Sequence, residues 1–304
     1  PSYQKRVEAV AEELGIELVW RVPSNLEAQL MQDKQLTICR NVFFQVDSAV
    51  QTCCENLVKH KSEIFDHIHT SVRYRENDIT LEHIQLDLNS FLNSDAVILL
   101  IDGAAGSGKS ALVKQLTDGL TNDCAFFAFK STDLDVNDIL NFLTPYGELN
   151  LDEVIDVYKM ADTRVLYIDA AEKFFICEYQ ETFEDILNRF IAAGWKIILT
   201  LRTAYRDSFQ NSLLHGSKVQ TYQVEPINLD KLSTLSHTYG FQLPQDKRLL
   251  DLLCAPFYLG LYLALENLED ESMRSLNREA FEEKIWNDII RNNRKRKDNL
   301  PTRR

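Results

Sequence analysis

An apolar run at residues 96–102, AVILLID, passes directly into Gly103-Ala104-Ala105-Gly106-Ser107-Gly108-Lys109-Ser110 and then into the helical pattern ALVKQLTDGL. The spacing G-x-x-x-x-G-K-[ST] between a strand and a helix constrains the fold more than anything else in the chain. Glycines let backbone N–H groups curl around phosphate oxygens, and the N-terminus of the following helix adds a favourable dipole. Lys109 would reach the β- and γ-phosphates of a nucleotide, and Ser110 would offer its hydroxyl to Mg²⁺. Nucleotide contacts are therefore expected along Gly103, Ala104, Ala105, Gly106, Ser107, Gly108, Lys109, Ser110 and Ala111. The bland alternative is a chance glycine-rich turn before a helix, and the correct flanks on both sides speak against it.

From residue 96 onward the pattern alternates. Strands are expected at 96–102, 124–129, 164–169, 195–201 and 218–224, with amphipathic helical stretches between them. The first four are nearly continuous apolar runs, as strands covered on both faces of a parallel sheet must be. The expectation is an α/β fold: a three-layer P-loop NTPase core on a parallel five-stranded sheet. A short αβ and helical segment precedes it and a small helical domain follows. Expected boundaries are 1–46 for the trailing part of an N-terminal domain, 47–94 for a helical connector, 95–226 for the nucleotide-binding domain, 227–293 for the helical domain and 294–304 for a basic tail.

Charge narrows the partners. The net charge is −13, yet residues 291–304 carry seven basic side chains and one acid. The remaining 290 residues hold 26 Lys and Arg against 45 Asp and Glu, a balance of −19 that argues against nucleic-acid binding through bulk charge. The basic tail reads as a solvated helix end or linker, with nucleic-acid contact as its alternative. No apolar run reaches the roughly 18 residues a membrane span needs. Six cysteines without CxxC spacing read as small buried hydrophobes in a reduced, cytoplasmic compartment. The chain begins at Pro1 and reads as a fragment of something longer.

Two acids follow the third strand. Asp169 ends the run RVLYID about sixty residues after Lys109, where the outer carboxylate that Mg²⁺ needs besides Ser110 is expected. Hydrolysis also needs a group that positions or deprotonates water. The residue directly after Asp169 is Ala170, so Glu172 is the candidate, provided that Ala170-Ala171 turns sharply. A solvent-facing helix-start acid beside Lys173 is its alternative. Thr200 and Arg202 close the next strand, where an arginine can report γ-phosphate charge. A surface salt bridge is the bland reading for Arg202, and Arg206, one turn later, competes for the role.

The stretches GAAGSGKS, VLYIDAAE, IILTLR and YQVEPINLDKLSTL, the last leading to LLDLLCAPFYLGLYLAL, together resemble the STAND class of P-loop NTPases, which includes NACHT and NB-ARC proteins. The likeness covers roughly residues 80–290. It implies binding of ATP or ADP with Mg²⁺, contact of Pro256 with the nucleotide, slow hydrolysis, and homo-oligomerisation when a missing C-terminal region senses an activating ligand. Pro at a helix's first turn also has a purely structural explanation. DAAEK looks more like bacterial members, which makes antiviral defence a setting that the resemblance implies. Nucleic acid would then matter only through an absent effector domain, and no membrane partner is implied. Competing functions are an AAA+-like ATPase with steady turnover, a small-molecule kinase, and a non-hydrolysing scaffold stabilised by nucleotide.

Overall fold

The computed structural model describes residues 48–80, 86–120, 124–159, 161–214, 216–265 and 267–287. The expected N-terminal domain at 1–46 and the basic tail at 294–304 lie outside the described residues. The chain divides into two compact units, 1–56 with 143–160, and 57–142 with 161–304.

In the smaller unit, the first half of helix α1 (Ser48–Asp66) carries Asn56, whose side-chain amide donates to the Tyr146 carbonyl at 2.8 Å. Asn150 and Glu153 cap each other's backbone reciprocally at the start of a later helix, Leu151–Val157. Each side chain answers an N–H that the helix start leaves unbonded.

The larger unit holds a five-stranded parallel sheet of β3 (Ile98–Gly103), β4 (Cys124–Lys130), β5 (Thr163–Asp169), β6 (Lys196–Arg202) and β7 (Val219–Val224). These fall within two residues of the strands that the apolar runs predict. The order across the sheet is β4-β5-β6-β3-β7, so the chain reverses direction of growth beside β3. In such sheets ligands bind outside the strands' carboxyl ends at the reversal. Parallel register brings Gly103 beside Arg202 and Val224, and Asp169 beside Lys130, all at one edge.

Alternate residues feed opposite layers. On one face Leu99, Ile101, Phe126, Val165 and Tyr167 join Ile64 and Phe65 of α1, the helix α2 (Leu88–Leu92), and α3 (Lys109–Thr117). On the other, Phe127 packs against Phe190 and Trp195, and Phe174 against Phe183 and Phe209. Every residue of β3 is buried, which is why its pattern is a continuous apolar run. Burying one such Leu or Ile contributes roughly 1.5–3 kcal/mol.

The expected all-helical character of 47–94 fails at 71–80. Here β1 (Ser71–Tyr74) and β2 (Asn77–Thr80) form an antiparallel hairpin, turning at Arg75 with φ 53°. Val72, Tyr74 and Ile79 point into the core of the C-terminal helices rather than the sheet, beside Phe241, Leu259 and Tyr262. Charged and polar residues between these three masked the period-2 pattern, and their partners lie far downstream in the chain. After Val224 the described residues form only helices and turns. These include α8 (Lys247–Leu253), capped by Asp246, and α9 (Pro256–Leu263), with Pro256 in its first turn.

Candidate nucleotide site

The loop between β3 and α3 turns on Gly106 at φ 75° and Gly108 at φ 95°, conformations that side chains with a Cβ rarely adopt. At Gly106 a second constraint acts: a Cβ would lie 2.9 Å from Cβ of Phe257. The close approach exists because the Phe257 N–H donates to the Gly106 carbonyl at 3.2 Å. The helical region is thus hydrogen-bonded directly to the phosphate loop.

Lys109 folds over its own loop, donating to the carbonyls of Gly103 at 3.0 Å and Ala104 at 2.8 Å. Burial lowers its pKa from the ordinary lysine value, and the carboxylates of Glu172 and then Asp169 push it back up. The ammonium therefore sits in a field that both acids shape.

Asp169 is the hub of a cluster of hydroxyls. Its Oδ1 accepts from the hydroxyls of Ser110 at 2.8 Å, Tyr167 at 2.7 Å and Thr200 at 2.7 Å. Thr200 Oγ1 in turn accepts from the Ala170 N–H at 3.1 Å. Of these groups, sequence reasoning named Ser110, Asp169 and Thr200 but not Tyr167, whose strand position reads as core.

The chain does turn sharply after β5. Ala170 sits at φ 55°, ψ 50°, a left-handed conformation costing a non-glycine residue roughly 1–3 kcal/mol. That turn starts the 3-10 segment Ala171–Ile176 and carries Glu172 beside Arg202, with Oε1 3.2 Å from the arginine Nε. Glu172 is 13% exposed and Arg202 60%, so the pair contributes little stability and serves mainly to orient the acid. Glu172 Oε2 is buried and accepts no hydrogen bond.

Arg206 is occupied elsewhere. Its guanidinium lies 3.4 Å from Asp102 Oδ2, and Thr203 donates to Asp102 Oδ1 at 2.8 Å. Asp102 is fully buried at the end of β3, a placement that the sequence pattern did not single out. Losing the partner of a buried carboxylate is strongly unfavourable. Arg206→Ala is therefore expected to lower the melting temperature, and Asp102→Asn in that background to restore part of it; additive losses in the double variant would refute the pairing.

A cavity of about 860 Å³ opens between the loop and the helical region, lined among others by His67, His69, Arg73, Lys109, Ser110, Pro256 and Phe257. It brings Pro256 together with Lys109 and Ser110. It also adds 67–73, which the helical reading of that segment hid. For Mg²⁺ the donor set is apt: a hydroxyl and a carboxylate in contact are the hard oxygen ligands that the ion takes alongside phosphate oxygens and water. Among the described residues no three His, Cys, Asp or Glu side chains gather to hold an ion unaided.

No family model matches the chain, and no curated protein matches it in sequence. Among solved structures, AMPPCP-bound DnaA from Aquifex aeolicus is 17% identical with a TM-score of 0.35, covering 68% of this chain and 61% of that one. The Aeropyrum pernix ORC1 protein in complex with DNA is 12% identical with a TM-score of 0.39, covering 61% and 58%. The S. cerevisiae Hsp104–ADP complex is 15% identical with a TM-score of 0.37, covering 54% and 27%. The chain spans less than two thirds of each of these proteins, and likenesses this remote carry no functional weight. The sheet order, the strand–loop–helix phosphate motif and the acid at the end of β5 define the class: an α/β fold with a P-loop NTPase core. No helix among the described residues is long and apolar enough to cross a membrane.

Proposed function

We propose that this chain is an ATP-binding, slowly hydrolysing switch of the STAND type. The observation that carries this reading is the hydrogen bond from Phe257 to Gly106, which ties the helical region to the loop expected to hold the phosphates. A nucleotide that changes the loop's backbone must then change the footing of α9. That linkage is what a switch needs, since a ligand shifts a conformational equilibrium only through differential contacts with its two states.

In this reading Lys109 leaves the Gly103 and Ala104 carbonyls to meet the β- and γ-phosphates. Ser110 and Asp169 hold Mg²⁺, which when bound neutralises phosphate charge. Glu172 accepts the proton of the attacking water at Oε2, its free oxygen. Arg202, already paired with Glu172, divides its charge between that acid and the γ-phosphate. Sensing, oligomerisation and an effector in antiviral defence would belong to regions outside the described residues.

Steady AAA+-like turnover is the second reading, favoured by the buried, unpaired oxygen of Glu172 poised beside Arg202. Nucleotide released from the purified protein by acid separates the two. The switch predicts retained ADP and turnover below about 0.1 s⁻¹, against roughly 1–10³ s⁻¹ for typical enzymes. An empty site with turnover in the typical range would sink the switch. Inability to bind adenine nucleotides would sink both.

A further inference from the structure

Tyr167 stands two residues before Asp169 on β5, facing the helices of the sheet's first layer, where an apolar side chain would be expected. It is fully buried, its ring stacked on Phe65 with centroids 5.7 Å apart and planes 5° from parallel, and 6.5 Å from the ring of Phe126. A hydroxyl in such a slot is costly unless it is bonded. It donates to Asp169 Oδ1 at 2.7 Å. Ser110 and Thr200 donate to the same oxygen, and none of the three bonds reaches Oδ2.

We propose that Tyr167 is a positioning residue for the metal-side acid, a tyrosyl brace that fixes the carboxylate of Asp169 from within the core. This rests on the nucleotide–Mg²⁺ reading above. Ser110 and Thr200 approach Asp169 from neighbouring elements, so their hold depends on the loop and on β6. Tyr167 grips it from the same strand through a ring that Phe65 and Phe126 immobilise. Asp169 therefore meets the ion already oriented, which is how groups behind a metal ligand raise metal affinity.

Tyr167→Phe tests the brace, because the ring fits the same apolar slot and only the hydroxyl is lost. ATP affinity would be measured by calorimetry with Mg²⁺ and with EDTA, alongside melting of the nucleotide-free protein. The expected result is a loss of about 10-fold or more in affinity with Mg²⁺, with affinity in EDTA and the melting temperature unchanged. Loss that is equal in both conditions, or a lowered melting temperature, would assign the hydroxyl a structural role and overturn the proposal. An unchanged gain from Mg²⁺ in the variant would overturn it too, while leaving the nucleotide reading intact. Wild-type protein whose ATP binding Mg²⁺ does not strengthen would remove the metal reading itself.

Discussion

Glu172→Gln is expected to slow ATP hydrolysis by about 10²–10⁴-fold, the usual loss when a general base is removed. Binding should survive, because the side chain keeps its size and Glu172 lies outside the phosphate loop. The expectation rests on three features acting together. Ala170 takes a left-handed conformation that turns Glu172 inward. Arg202 holds Oε1 at 3.2 Å. Oε2 is buried and accepts no hydrogen bond. Single-turnover hydrolysis, with ATP affinity measured in parallel, checks it. Hydrolysis at the wild-type rate would return Glu172 to its bland reading as a helix-start acid. Arg202→Gln adds a discriminating measurement: it should narrow the difference between ATP and ADP affinity, since a cation that faces only the γ-phosphate is lost while Lys109 still serves the β-phosphate.

Lys109→Ala is expected to weaken nucleotide binding by about 10–100-fold, as charge-assisted hydrogen bonds of roughly 1.5–3 kcal/mol are lost. The nucleotide-free protein should melt almost as before. Among the described residues Lys109 bonds to the Gly103 and Ala104 carbonyls of its own loop, and burial already disfavours its charge. The contrast is read best by thermal shift. ATP at about 100 times the wild-type Kd stabilises the wild type by roughly 2.7 kcal/mol. A variant weakened 100-fold gains only about 0.4 kcal/mol under the same conditions. An ATP-induced shift as large as the wild type's would show that Lys109 does not bind phosphate.

The sheet was legible because burial on both faces forces nearly continuous apolar runs in its inner strands. That signal is local and needs no knowledge of partners. The phosphate loop was legible for a similar reason, since its chemistry is confined to eight consecutive residues, Gly103 to Ser110. Asp169 followed from its place at a strand end. The hairpin at 71–80 was not legible, because Val72, Tyr74 and Ile79 pack against helices more than 140 residues downstream. Nor was the difference between the two arginines. Arg202 and Arg206 are one turn apart, and nothing nearby says that one faces Glu172 while the other neutralises buried Asp102, 104 residues away.

By itself the sequence determined the class of fold and the place of the loop, because each depends on residues adjacent in the chain. Tertiary structure alone decided which groups converge: three hydroxyls on one oxygen of Asp169, Arg202 on Glu172, and Phe257 on Gly106. Apart from Tyr167, these partners come from elements far apart in the chain, and which elements meet is set by how the whole core packs.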